Sequence, residues 1–326
     1  MSGLRLAVRF MLLAAVAMLG GCGSAGRDKA TLMLDWVPNT NHTGIYVALD
    51  KGWYRQQGID LQVIQPAQTG VEQVVGAGQA QFGISFSEWT TSARAQGVPI
   101  VSIAAIIQHN TSGFASPASK GLKRPKDLEG RRYGGGGLDV ERAMLQALMA
   151  CDGGDVSKVQ FVNTGGADFF TVTQRDVDFA WIYYAWDGIG AELRGVPINV
   201  IWLRDYERCV PDYYTPIIIT GEKTIAEKPD LVRRFMAATA QGYQFAIGHP
   251  DEAADILIKH AEADPNLIRR SQAWLSPRYA EGILQWGYQD PSVWERFTKW
   301  MADNKLIPQP IAASTAFTND FLPRQH

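Results

Sequence analysis

The sequence predicts an α/β protein of two lobes, each a sheet flanked by helices. Three observations carry this. From Thr31 onward, short apolar runs alternate with amphipathic segments, the pattern of strands joined by crossover helices. At Gln108–Lys126 the composition shifts to Ser, Gly, Pro and Lys, and the alternation then restarts. A β-rich segment, Tyr213–Thr220, precedes a remainder that is helical. With 326 residues, 46% of them apolar, the chain can bury the cores of about two domains.

Thr31–Leu34 reads as the first strand and Thr43–Lys51 as a helix stopped by Gly52. Leu61–Ile64 is a strand after the Gly58 turn. Val71–Val75 is helical and ends at Gly76. Phe82–Ser85 is a strand, Glu88–Ala95 a helix closed by Gly97, and Ile100–Ile107 a long apolar strand. This spacing argues a largely parallel sheet. Gln108–Lys126 reads as a crossing into a second lobe. There the theme repeats: a strand near Arg132–Gly134, the glycine run to Gly137, helix Val140–Cys151, strand Val159–Val162, and a helix around Asp168–Thr173. Strand Phe179–Ile182, helix Asp187–Arg194 and strand Asn199–Leu203 follow. Tyr213–Thr220 is the return crossing. Pro229 and Pro250 sit in the first turns of two helices, and segments 268–287 and 291–304 read as two more. One lobe is therefore 30–112 plus 214–326, and the other is 113–213, with a ligand cleft between them.

The first residues read as a processing signal. Arg5 and Arg9 precede an apolar stretch, Phe10–Leu19, too short for a membrane span. Leu19-Gly20-Gly21-Cys22 then resembles the bacterial lipobox. That resemblance implies a signal peptide over 1–21, lipid on Cys22, a tether over 22–29, and a mature chain anchored outside the cytoplasm. Cys151 and Cys209 are the other cysteines. Spacing leaves a disulfide between them open, and two buried free thiols are the expected state. No Cys/His cluster has metal spacing, so neither metal nor cofactor is expected. A net charge of −2 carries no basic field for nucleic acid.

Candidate ligand residues fall in loops that follow strands. Asp35, Trp36, Asn39, Asn41 and His42 crowd one turn, with Tyr46 just inside the helix behind it. Asn41 reads as the N-cap, although it and Asn39 could serve the turn alone. His42 reads either as a hydrogen-bonded structural residue or as a ligand contact. Ser85 and Glu88 follow the third strand, and Glu88 also suits a helix first turn. Across the cleft stand Gly134, Gly135 and Gly136, which allow close approach and offer donors at a helix start. They match neither a Walker loop nor a dinucleotide fingerprint. Trp181 and Tyr183 share one face of their strand, Tyr184 the other, and only one set need reach the cleft. Trp186, Asp187 and Glu192 follow, with Glu192 open to a solvated role. Aromatic faces and a few fixed polar groups suit a flat, neutral, hydrogen-bonding ring.

Six stretches carry a family resemblance: Leu34–Gly44, Ile106–Phe114, Asp168–Phe170, Arg175–Tyr183, Asp212–Pro216 and Trp274–Tyr279. In these the chain resembles the solute-binding proteins of bacterial ABC importers, in the branch of the ThiY-type pyrimidine-binding proteins. The resemblance implies a two-lobed, type II periplasmic-binding-protein fold with mixed sheets. It also implies a heteroaromatic vitamin as ligand, a permease with a separate ATPase as partner, and a monomer. Two departures concern the ligand. ThiY-like proteins read Tyr-Gly-Gly-Trp-Gly where this chain has Tyr133-Gly134-Gly135-Gly136-Gly137, so a pocket indole is absent. An acid is lost at Gly190 and one gained at Asp187. Room for a wider ring ranks riboflavin ahead of a thiamine pyrimidine precursor. The rival class is the related pyrimidine synthases, whose Lys and His correspond here to Ser85 and Trp89. Without that amine the synthase reaction is not expected, and no hydrolase elbow occurs.

Overall fold

The computed structural model describes residues 26–66, 70–165 and 167–324. The signal segment and Cys22 lie outside them. Ten strands form two five-stranded sheets: β1 (Asp28–Met33), β2 (Ile59–Ile64), β3 (Phe82–Ser85), β4 (Ile100–Ala105), β5 (Ser112–Pro117), β6 (Arg132–Gly135), β7 (Gln160–Asn163), β8 (Phe179–Tyr183), β9 (Ile198–Trp202) and β10 (Ile217–Gly221). The strand orders are β2-β1-β3-β10-β4 and β7-β6-β8-β5-β9. The two sheets thus share one topology.

Within each sheet the first three strands run parallel and are joined by helical crossovers, as parallel pairing requires. One strand per lobe runs against the other four, so the sheets are largely parallel but mixed, as the resemblance implies. β10 is antiparallel to β3 and β4, and β5 is antiparallel to β8 and β9. These are the strands that bring the chain in from the other lobe. β5 lies inside the stretch read as a crossing. Its sequence, Ser-Gly-Phe-Ala-Ser-Pro, looks like a loop, yet Ser112 through Ser116 are buried. A central strand covered on both faces has no exposed side to alternate with, so its composition hides it.

The C-terminal helices cover the first sheet. Pro229–Gly248 crosses the helix Thr43–Asp50 at a pair of glycines. A Cβ on Gly242 would stand 1.9 Å from the Gly44 carbonyl oxygen, so no larger residue permits this approach. Pro265–Leu275 is helical, but the expected helix does not continue to 287. It passes through a 3₁₀ turn at Ser276–Ala280, and Gly282 and Gly287 then take φ of 75° and 89°. Helix Pro291–Asp303 serves both lobes. Trp294 packs in the first core beside Phe317, while Phe297 stacks on Tyr213 at 4.2 Å in the second.

Cys151 and Cys209 form a disulfide, with Cα atoms 6.1 Å apart, contrary to the expected free thiols. Cys151 ends its helix at the surface and Cys209 is half-buried, so neither is a core thiol. The bridge closes a separation of 58 residues, worth about 4 kcal/mol in the chain-entropy model. Cys151→Ser with Cys209→Ser should lower unfolding free energy by about 2–4 kcal/mol. Urea unfolding with and without reductant checks this. A double variant as stable as the oxidised chain, or one further weakened by reductant, would contradict it.

Candidate functional site between the lobes

After β1 the chain turns through Asp35–Asn41, and a dense set of buried bonds holds it. Asn39, not Asn41, is the cap of the turn Thr40–His42: its Oδ1 accepts the Asn41 N–H at 2.8 Å. The Asn39 N–H donates to His42 Nδ1 at 3.3 Å, and His42 Nε2 meets Asp35 Oδ1 at 2.6 Å. From the C-terminal helices, Tyr243 Oη donates to the Asn41 carbonyl at 2.7 Å and Tyr279 Oη to the Thr40 carbonyl at 2.5 Å. The turn so fixed presents Trp36, 52% exposed, toward the second lobe.

The facing wall begins at the end of β8. Alternation sends Trp181 and Tyr183 to the cleft side, and a π-type turn over Tyr184–Gly188 brings Trp186 round beside them. Trp186 meets Trp36 edge to face, with centroids 6.3 Å apart and planes at 80°. Tyr183 lies near-parallel to Phe86 of the first lobe at 6.3 Å. Between these aromatics are two adjoining chambers. One, of about 310 Å³, holds Asp35, Asn39, Asn41, Thr111 and Tyr183 in its walls. The other, of about 350 Å³, is walled by Gly134–Gly136, Trp181, Glu141, Phe170 and Arg194. Trp36, Trp186 and Asp187 border both. Asp187 accepts the Tyr183 N–H at 3.3 Å, and burial raises its carboxyl to about 6. At neutral pH it is an acceptor.

The glycine run does not offer the donors expected of it. The N–H groups of Gly136, Gly137 and Leu138 donate to the Glu141 carboxylate at 3.0, 3.1 and 3.1 Å. Glu141 escaped sequence reading because the N-cap is Leu138, which breaks the capping-box pattern. A Glu at the third helical position after a glycine run was the available signal. Phe86, Thr111, Phe170 and Arg194 were also missed. Phe86 and Thr111 are types ordinary in cores, and Phe170 and Arg194 come together only when the helix after β7 packs beside the one after β8.

Several expected contacts lie elsewhere. Tyr184 faces away from both chambers, its hydroxyl on Glu192 at 2.8 Å and its ring against Trp202 and Trp274. Glu192 also pairs with Arg270 at 2.5 Å, so the two belong to an outer face. Tyr46 is buried under His260, and that burial pushes its hydroxyl up to about 12. His42 is fully buried and touches the turn, not the chambers.

The family model described as NMT1/THI5 like matches residues 39–253. The chain belongs to this family. It is 27% identical to a formylaminopyrimidine-binding protein of Halalkalibacterium halodurans, over 94% of this chain and 97% of that one. It is 28% identical to the riboflavin-binding protein RibY of Chloroflexus aurantiacus, over 91% and 86%. It is 25% identical to a 4-amino-5-hydroxymethyl-2-methylpyrimidine phosphate synthase of Legionella pneumophila, over 92% and 94%. Among solved structures, a ligand-binding component of an ABC-type import system from Staphylococcus aureus has a TM-score of 0.70 at 12% identity, covering 90% of this chain and 98% of that one. The alkanesulfonate-binding protein SsuA of Xanthomonas axonopodis pv. citri has 0.68 at 12%, covering 90% and 99%. The fold is that of periplasmic binding proteins.

In this NMT1/THI5-like chain, Ser85 and Glu88 stand behind the two chambers. Ser85 Oγ donates to Glu72 and contacts Thr90. Glu88 is 4% exposed, its Oε2 has no partner among the described residues, and it borders a third cavity between the lobes with Glu72, Trp89 and Leu138. Burial raises Glu88 from 4.5 to about 8. The folded state therefore holds a proton that the unfolded state releases, so stability falls as pH rises from 4.5 to about 8. Glu88→Gln, neutral at every pH, should flatten that fall and leave the variant more stable than wild type at the upper end. Urea midpoints across this range test it, and parallel curves for the two proteins would refute the assignment.

Proposed function

We propose that the chain is the solute-binding component of an importer and closes on one flat, neutral, heteroaromatic vitamin, riboflavin ahead of a thiamine pyrimidine precursor. The observation that carries the ligand choice is the space at Gly136. A Cβ built there meets nothing nearer than Leu138 Cγ at 3.6 Å, so a side chain could start at this wall of the larger chamber and this chain carries none. The two chambers together fall within the roughly 300–1,000 Å³ usual for small-molecule sites. Trp36, Trp181, Tyr183 and Trp186 supply faces, and Asp187, Asn39 and Asn41 supply acceptors and donors for ring and side-chain groups. The riboflavin-binding name of one relative supports this ranking. The second reading, a pyrimidine, rests on the smaller chamber serving alone and on the formylaminopyrimidine-binding relative.

Binding without catalysis is the reading of Ser85, which offers no amine where the synthases carry Lys. Delivery would be to a permease with a separate ATPase, consistent with the import-system likeness. We place the chain outside the cytoplasm, tethered by lipid on Cys22 and working as a monomer. A disulfide suits that compartment.

The chain without residues 1–22 should quench flavin fluorescence at micromolar concentrations. Trp36→Ala and Trp186→Ala should each weaken binding about tenfold, since each removes one aromatic face. Gly136→Trp should lose riboflavin while retaining any affinity for an aminopyrimidine. Tight aminopyrimidine binding by wild type, with no flavin quenching, would reverse the ranking.

A further inference from the structure

We infer that Glu141 sets the charge specificity of the cleft: its carboxylate fills the backbone cradle that would otherwise take an anion, and so excludes phosphate monoesters and sulfonates. The inference rests on the interlobe cleft being the ligand site. A glycine run that opens a helix normally presents free N–H groups to a phosphate. Here three consecutive N–H groups are all directed at Glu141, which is 9% exposed and borders the larger chamber. The fit is close. A Cβ on Gly135 would come within 2.7 Å of Glu141 Oε2 and 2.5 Å of the Tyr133 ring, so the strand end has room for glycine alone beside the carboxylate.

The rest of the chamber follows the same pattern. The other helix that opens on it, Phe169–Arg175, has its first N–H groups on the Asp168 carboxylate, at 3.1 Å from both Phe170 and Thr171. Asp187 adds a third acid. The facing cation, Arg194, stacks on Phe170 at 3.8 Å and acts on Asp168 and Asp187. An entering phosphate would find the backbone donors of both helix starts taken and carboxylates beside them, and would gain the Arg194 guanidinium alone as a charged partner in this chamber. A neutral ring meets no such opposition, and its N–H and O–H groups find acceptors.

The test compares riboflavin with riboflavin 5′-phosphate, and an aminopyrimidine alcohol with its phosphate ester, by calorimetry on the mature chain and on Glu141→Gln. Gln keeps an acceptor for the loop and removes the charge. Wild type should favour the neutral member of a pair by about a hundredfold, and Glu141→Gln should narrow that ratio about tenfold. A wild-type chain that binds ester and alcohol equally, or a variant with an unchanged ratio, overturns the inference and leaves the binding function standing. A second readout needs no vitamin. In Glu141→Ala the cradle is open, so inorganic phosphate at matched ionic strength should raise its melting temperature and leave wild type unmoved. Equal shifts in the two proteins would also overturn it. Failure of all four compounds to bind wild type would instead remove the functional reading beneath it.

Discussion

The hydrogen bond between Asp35 and His42 is the contact on which the cleft depends. His42 Nδ1 receives the Asn39 N–H, so the ring proton sits on Nε2 and is donated to the Asp35 carboxylate. One imidazole thus ties the end of β1 to the start of a helix across the turn that carries Trp36. The pair is enclosed, with His42 fully buried. Loss of Asp35 would leave the buried His42 Nε2 unsatisfied, which costs more than the bond itself contributes. The tyrosines that hold the turn's carbonyls extend the network: Tyr243 stacks on Trp286 at 4.1 Å, and Trp286 Nε1 donates to the Ile106 carbonyl at 3.2 Å. The loop, the C-terminal helices and the start of the first crossing therefore move as one body. That rigidity lets an indole stand half in solvent at the cleft mouth.

The second lobe solves the complementary problem. Its helix starts point at the cleft, and free N–H groups there would favour any passing anion. Carboxylates from the chain itself, Glu141 and Asp168, satisfy them instead. Burial keeps Asp187 close to its titration point, so it is an acceptor whose charge is moderated by its surroundings. Aromatic side chains then line both walls, with a few directional polar groups set between them.

Much of this was legible in the sequence. Strand positions with apolar runs, from β1 to β4, follow their pattern to within a few residues, and the turn at Asp35–Asn41 announces itself by crowded polar types. The alternation of β8 states that Trp181 and Tyr183 go together, and the lobe meeting them decides which way. What stayed hidden shares a physical cause: it depends on partners distant in the chain. β5 is a strand only because β8 and β9 flank it. Glu141 looks like a surface helix residue until the glycine loop folds back on it. Tyr184 and Glu192 look like cleft residues until Trp202, Trp274 and Arg270 claim them from outside. The disulfide joins two segments whose spacing carries no signal.

Closure of such a cleft requires a hinge, and the two crossings are more tightly coupled than a pair of linkers. Asp212, just before the return crossing, accepts the Asn110 N–H at 2.9 Å and contacts His109 Nδ1 at 2.6 Å, both in the outward one. The hydrogen bond to Asp212 raises the His109 pKa, with its half-buried site opposing. Immediately beyond, neighbouring residues divide between the lobes. Tyr213 stacks on Phe297 in the second core, while Tyr214 lies beside Trp294 in the first. Phe297 and Trp294 belong to one helix, about one turn apart. That helix spans the hinge as a strut, and Trp300 anchors its far end by donating to the Cys209 carbonyl at 2.9 Å. Sliding one lobe past the other would unstack both aromatic pairs together, and it would also part Arg270 from Glu192 and Trp274 from Tyr184, so these contacts hold the two walls in one register.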